Sequence, residues 1–200
     1  MSKKKVAVIF PTYKENNQKY IALGHVTTFK GPFKHLDPSL YPNGFLNGIG
    51  GHVESGETVA QAAKREFGEE VEIHTTSLPT NKLVKIGVVD VTFLPEEKEI
   101  QLHVFRIYFP ERVIITPRGK REFDSFDWYP LRNISFPKLG PNGAALLPSD
   151  KFWLPHFLTG KGQYQAEIEI TNQFRIYETG EGDDYKSGKM HLRKLKAPTD

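Results

Sequence analysis

Two hydrophobic periods organise this chain, one of two residues and one of a helical turn. Val6 to Phe10 is a short apolar run ended by Pro11 and predicts a buried strand. Lys14 to Gln18 is a polar turn, and Tyr20 to Leu23 with Gly24 predicts the second arm of a hairpin. Residues 26–46 form a long Gly/Pro-bearing loop holding Phe29, Lys30, Phe33, Lys34 and Tyr41. A solvated excursion pinned by aromatics and a phosphate grip by a lysine both fit it. Leu83 to Phe93 and Ile100 to Phe109 are β-rich runs that predict an antiparallel pair, and Val113 to Ile115 predicts a short strand. Arg118 to Asp127 is charged and loop-like, and Trp128-Tyr129-Pro130-Leu131 ends it. Phe136 to Pro148 is another connection. Asp150 predicts the cap of a helix running through Trp153 and Phe157 to Gly160, with Pro155 near its start. Tyr164, Ala166, Ile168 and Ile170 alternate with polar residues as in a half-buried strand, with Phe174 to Tyr177 as its hairpin partner. Beyond Tyr177 acidic residues give way to Lys186, Lys189, Arg193, Lys194 and Lys196 with few large apolar residues. One domain over residues 1–177 and a mobile charged tail over 178–200 are therefore expected.

The helical period is clearest between Gly51 and Ile73. Thr58 followed by Gln61 is a capping box and predicts a helix start. At about 100° per residue, Val59, Ala62, Ala63 and Phe67 share one face. Glu66, Glu69 and Glu70 fall within that face, while Gln61, Lys64, Arg65 and Gly68 take the outer side. A structural surface helix keeps its carboxylates opposite the apolar stripe. Two carboxylates 4 Å apart repel by about 4 kcal/mol at an effective dielectric of about 20. Something cationic belongs among them, and oxygen-only ligands suit a hard divalent ion such as Mg²⁺, which completes its shell with water and substrate phosphates.

Composition narrows the field. A hydrophobic share of 38% with 12% aromatics describes a globular chain. A net charge of +3 is too small to predict a nucleic-acid partner. The absence of cysteine excludes disulfides, cysteine nucleophiles and thiolate zinc. No apolar run is long enough to span a bilayer, and Met-Ser-Lys-Lys-Lys lacks the apolar core of a signal peptide, so no membrane partner and a cytoplasmic location are expected. The seven histidines show no zinc spacing. His103 reads as a satisfied core or wall residue, and His52 as a contact beside the metal loop. There is no G-x-S-x-G and no phosphate-binding G-x-x-x-x-G-K-[ST].

Gly51, Glu57, Arg65-Glu66-Phe67, Glu69-Glu70 and Ile73 resemble the Nudix box, G-x5-E-x7-R-E-U-x-E-E-x-G-U with U apolar. Glu72 stands where the pattern has its second glycine. Asn47-Gly48-Ile49-Gly50-Gly51, His103-Val104-Phe105 and the Pro148–Pro155 segment resemble the W-N-G-F-G-G, H-V-F and P-D-D-x-x-W-F-P motifs of MutT-like oxidised purine nucleoside triphosphate hydrolases. Ser149 replaces the first aspartate of the base-reading pair, Leu147 stands near a stacking tryptophan, and Leu46 replaces the tryptophan before the asparagine.

The resemblance implies an α/β protein, an α/β/α sandwich around a mixed sheet. It implies a Mg²⁺-dependent diphosphohydrolase, with Mn²⁺ as a substitute, that converts a purine nucleoside triphosphate, oxidised or not, to the monophosphate and pyrophosphate. Glu66, Glu69 and Glu70 with the Gly50 carbonyl would hold metal. Arg65 and Glu57 would pair to fix them. Glu122, with Asp124 as rival, would supply a late ligand or base. Asn47, Gly51, Ser149 and Asp150 would contact substrate. Two other readings stay open: hydrolysis of another nucleoside diphosphate-linked substrate, and a non-catalytic nucleotide-binding module. An isopentenyl diphosphate isomerase shares the expected fold but needs the cysteine this chain lacks.

Overall fold

A computed structural model describes residues 3–28, 41–74, 83–93, 98–119, 122–133, 143–147, 149–160, 162–170 and 190–194. Phe29, Lys30, Phe33 and Lys34, most of the 136–148 connection, and the 174–177 strand expected from sequence lie outside them. The main sheet runs β10(Ala145–Leu146)–β3(Phe45–Asn47)–β2(Gln18–Val26)–β1(Lys4–Glu15)–β7(Lys98–Tyr108)–β6(Leu83–Phe93)–β11(Tyr164–Ile170)–β12(Met190–Lys194). Off this path, β4(Ile49–His52) pairs with β1 and β9(Ser125–Pro130) with β2. The β1–β7, β3–β10 and β6–β11 pairs are parallel, so the sheet is mixed. β5(Val71–His74) and β8(Ile114–Pro117) form a separate antiparallel pair.

The apolar run of β1 serves two cores at once. Val8 and Phe10 face one side, where α2(Asp150–Thr159) packs Trp153, Leu154, Phe157 and Leu158 over Val89, Val104 and Ala166. Ala7 and Ile9 face the other, where α1(Val59–Glu70) packs Ala62 and Ala63 beside Phe105 and Ile107. A central strand buried on both faces shows a continuous apolar stretch rather than alternation. The architecture is the expected α/β/α sandwich around a mixed sheet. Among the described residues no helix is long and apolar enough to cross a membrane.

Several local expectations change. β1 does not stop at Pro11. That residue, with no N–H to give a ladder, sits where β1 leaves β4 (last pair Ile9↔Ile49) and takes up β2 (first pair Thr12↔Ile21). The expected polar turn is a two-residue hairpin on Asn16 and Asn17, whose φ values of 46° and 62° suit a mirror-image turn. Part of the charged 118–127 stretch is strand β9. Part of the expected mobile tail, residues 190–194, is strand β12, paired antiparallel with β11 from Tyr164↔Lys194 to Ile168↔Met190. Main-chain pairing needs no apolar run, so low hydrophobicity alone misread this segment.

Candidate active site

The capping box sets the start of α1: Gln61 N donates to Thr58 Oγ1 (3.2 Å) and Thr58 N to Gln61 Oε1 (2.8 Å). Small Ala62 and Ala63, both fully buried, let the helix lie close to the sheet. The glycines of β4 then bring main chain against carboxylates. A Cβ on Gly51 would sit 2.4 Å from Glu66 Oε1, and one on Gly50 2.0 Å from the Ala7 carbonyl. Gly50 N donates to Glu70 Oε2 (3.1 Å). The structure thus ties Gly50 to the carboxylates through its N–H, while the metal role of its carbonyl remains an expectation.

Arg65 organises the other side of the cluster. Its Nε donates to Glu57 Oε2 (3.3 Å) and its Nη2 to Glu57 Oε1 (2.8 Å), the two-pronged pair expected from sequence. Nη2 also donates to the His52 carbonyl (3.0 Å), so His52 contributes its main chain here. The helical angle placed Arg65 away from the three carboxylates, and this needs correction. Its long side chain carries the guanidinium well away from its Cβ, and Nη1 meets Glu66 Oε1 (2.8 Å) and Glu69 Oε2 (3.4 Å). Glu57 is held below its usual pKa by the Arg65 guanidinium and by the Glu54 N–H (2.7 Å).

Glu66, Glu69, Glu70 and Glu122 line one cavity of about 190 Å³, with Arg118 and Phe123 also on its wall. Burial, then the charge and hydrogen bond of Glu122, then Glu66, push Glu70 up to about 9. Burial also raises Glu122, against the pull of its hydrogen bond with Glu70. The two carboxyls therefore share a proton at neutral pH, the expected answer to like charges crowded together. Among the described residues no three acidic or imidazole groups are gathered around a single point. Glu70 and Glu122 are hydrogen-bonded to each other on the cavity wall, whereas the Glu69 side chain is 54% exposed. Asp124, the rival of Glu122, turns elsewhere: it accepts from Thr27 N (3.1 Å) and from Thr27 Oγ1. Sequence reasoning missed Arg118 as a wall residue. It arrives because β8 pairs with β5, which continues directly from α1, and Arg118 N donates to the Glu70 carbonyl (2.7 Å).

The candidate base-reading residues follow from the ends of two neighbouring strands. β3 ends at Asn47, whose Oδ1 accepts from Gly48 N (2.9 Å). Its parallel partner β10 leads into the turn where Asp150 N donates to the Leu147 carbonyl (2.9 Å). Asp150 does not cap α2 as expected. It is the first helical residue, preceded by Ser149, whose hydroxyl makes no capping bond. The Asp150 carboxyl turns inward instead, accepting from Trp153 Nε1 (3.1 Å) and Ser149 Oγ (3.2 Å), and burial pushes it up to about 6. His103 is buried as expected but not satisfied: neither ring nitrogen has a hydrogen-bond partner among the described residues. Burial, Lys85 and Lys5 lower it to about 4, so the ring is neutral.

A NUDIX domain model matches residues 4–149. The oxidized purine nucleoside triphosphate hydrolase of Mus musculus is 32% identical over 144 residues, spanning 71% of this chain and 81% of that protein. The crystal structure of a MutT protein from Bacillus halodurans superposes with a TM-score of 0.60 at 16% identity, covering 94% of this chain and 97% of that one. The NUDIX domain of Shewanella oneidensis NrtR, solved with ADP ribose, superposes at 0.53 with 13% identity, covering 79% and 87%.

Proposed function

Because this chain belongs to the Nudix hydrolase family, we propose that it is a Mg²⁺-dependent diphosphatase converting a purine nucleoside triphosphate to the monophosphate and pyrophosphate. The observation that carries this is the single cavity walled by Glu66, Glu69, Glu70 and Glu122. The donor set fits a hard divalent cation: all oxygen, and so buried and crowded by Glu122 and Glu66 that Glu70 is pushed up to about 9. Glu66, Glu69, Glu70 and the Gly50 carbonyl would hold it, with Mn²⁺ able to take its place. Bound there, the ion would neutralise phosphate charge and lower the pKa of an attacking water.

The chain's own residues do the rest. Arg65, clamped by Glu57 and the His52 carbonyl, fixes Glu66 and restrains Glu69. Such supporting contacts commonly carry 10- to 100-fold in metal affinity or activity. Glu122, hydrogen-bonded to Glu70, takes up or releases a proton during turnover. Asn47 and Asp150 read a purine edge: an amide offers donor and acceptor, and a carboxyl raised to about 6 can present either an acceptor or, when protonated, a donor. Ser149 keeps hydrogen-bonding capacity but cannot ionise. Discrimination for oxidised guanine is therefore weaker than in a site with two paired acids.

The similarity to a mouse protein named for oxidised purine triphosphates supports this substrate class. The test is pyrophosphate release with Mg²⁺ over a panel of purine, oxidised purine and pyrimidine triphosphates, with nucleoside diphosphate-linked compounds as controls. Activity confined to those controls would move the substrate class and leave the metal site standing. No hydrolysis of any of them would leave a nucleotide-binding module.

A further inference from the structure

Arg118 is the one basic residue lining the acidic cavity among the described residues. It is placed there twice over. Its main-chain N–H is bonded to the Glu70 carbonyl (2.7 Å), at the last residue of α1. Its guanidinium Nε lies 3.7 Å from Glu72 Oε1, with both side chains about half exposed. Glu72 pairs with Thr116 across β5–β8, which sets Arg118 two residues further along on the same face. Arg118 stands beside four carboxylates, yet among the described residues its only ion pair is with Glu72, which is not part of the cavity wall.

We propose that Arg118 is a phosphate-binding residue for the polyphosphate of the substrate, and that Glu72 is the residue that positions it. The proposal rests on the diphosphatase reading above. A fork of N–H donors at the rim has no use for carboxylates already committed to Arg65, to each other or to a cation. It matches the oxygens of a phosphate chain two at a time. The position of Glu72 acquires a purpose on this account. It is the one place where the chain departs from the glycine of the Nudix pattern, and a glycine there would offer Arg118 no partner. Losing the Arg118 side chain should leave the local backbone unchanged, because the bond to the Glu70 carbonyl comes from the main chain.

Isothermal calorimetry on the full chain with Mg²⁺ tests this. The ligands are inorganic pyrophosphate, a non-hydrolysable α,β-methylene purine triphosphate and the matching monophosphate. The proteins are wild type, Arg118→Ala, Arg118→Lys and Glu72→Gln. Arg118→Ala should weaken pyrophosphate and triphosphate binding roughly 10- to 150-fold, the range for a hydrogen bond to a charged group. It should leave monophosphate binding, and Mn²⁺ affinity read by electron paramagnetic resonance, unchanged. Arg118→Lys should recover only part of the loss, since charge without the fork is not equivalent. Glu72→Gln should cost about two- to fivefold, as an exposed ion pair does. Equal pyrophosphate affinity in wild type and Arg118→Ala overturns the proposal while the diphosphatase reading stands. So does a parallel loss of Mn²⁺ affinity, which would make the residue structural. A wild-type protein that binds neither pyrophosphate nor the triphosphate analogue overturns the reading on which the proposal rests.

Discussion

Glu70→Gln separates the metal-site reading from a structural one, through stability as well as turnover. The Glu70 carboxyl titrates ordinarily near 4.5 and is pushed up to about 9 in the folded chain. Its folded pKa lies above the unfolded one, so the folded state holds an extra proton between these two values. The associated stability is complete below pH 4.5 and drains away as pH rises toward 9. Each pH unit in that window costs about 1.4 kcal/mol, which makes about 3 kcal/mol by pH 7. Glutamine removes the titration while its amide can still donate to Glu122 and its oxygen can still accept the Gly50 N–H. For a chain of this size 1 kcal/mol moves Tm by roughly 2–4 °C, so in EDTA at pH 7 the variant should melt roughly 6–12 °C above wild type. The gap should close toward pH 4.5. Mg²⁺ should then raise the Tm of wild type far more than that of the variant, and the variant should lose most of kcat at saturating Mg²⁺. Scanning calorimetry over pH 5 to 8.5, with and without Mg²⁺, reads all of this. Parallel Tm profiles for the two proteins, or near wild-type turnover in the variant, would refute the reasoning.

Three further outcomes follow from the same geometry. Arg65→Lys cannot keep the two-pronged contact to Glu57 together with those to Glu66 and the His52 carbonyl; Mg²⁺ affinity and kcat should fall together by about 10- to 100-fold, and a changed substrate preference at unchanged Mg²⁺ dependence would contradict it. Asp150→Ala should lower kcat/KM for the preferred purine by roughly 5- to 150-fold and affect pyrimidines less, whereas Asp150→Asn, which can still accept from the buried Trp153 indole, should keep Tm near wild type; equal losses across all bases would make the residue a packing element. Deleting residues 190–200 strips β11 of one of its two described partners, leaving β6, and should lower Tm by a few degrees without loss of triphosphatase activity, and an unchanged Tm would show that the β11–β12 pairing contributes nothing.

How much of this was legible in the sequence depends on how local each cause is. α1 was legible to the residue at its cap, because a capping box and an apolar stripe both act within a few positions. That its three glutamates share one cavity wall was legible for the same reason: carboxylates inside an apolar face conflict within one helix, with no knowledge of the rest of the chain. Glu57 and Arg65 came from the resemblance, and the reach of Arg65 to Glu66 escaped because a helical angle locates a Cβ and not a guanidinium several bonds away. What sequence hid was brought in by strand pairing. β5 is four residues, too short for periodicity to register, and β8 showed only as the short strand expected over Val113 to Ile115, yet their pairing carries Arg118 to the end of α1. β9 begins inside a charged stretch and earns its place only by pairing with β2 from Ser125↔His25 to Pro130↔Tyr20. Pro11 would end a strand judged alone and interrupts nothing where two partners exchange.

A glycine after a helix commonly serves a left-handed cap. Here α1 ends instead on Val71 in an extended conformation, with φ −131° and ψ 150°, and the chain runs straight into β5. No positive φ is needed at position 72, so the backbone no longer demands glycine. The position is released for a side chain, and the one it holds lies against Arg118 at the edge of the cavity.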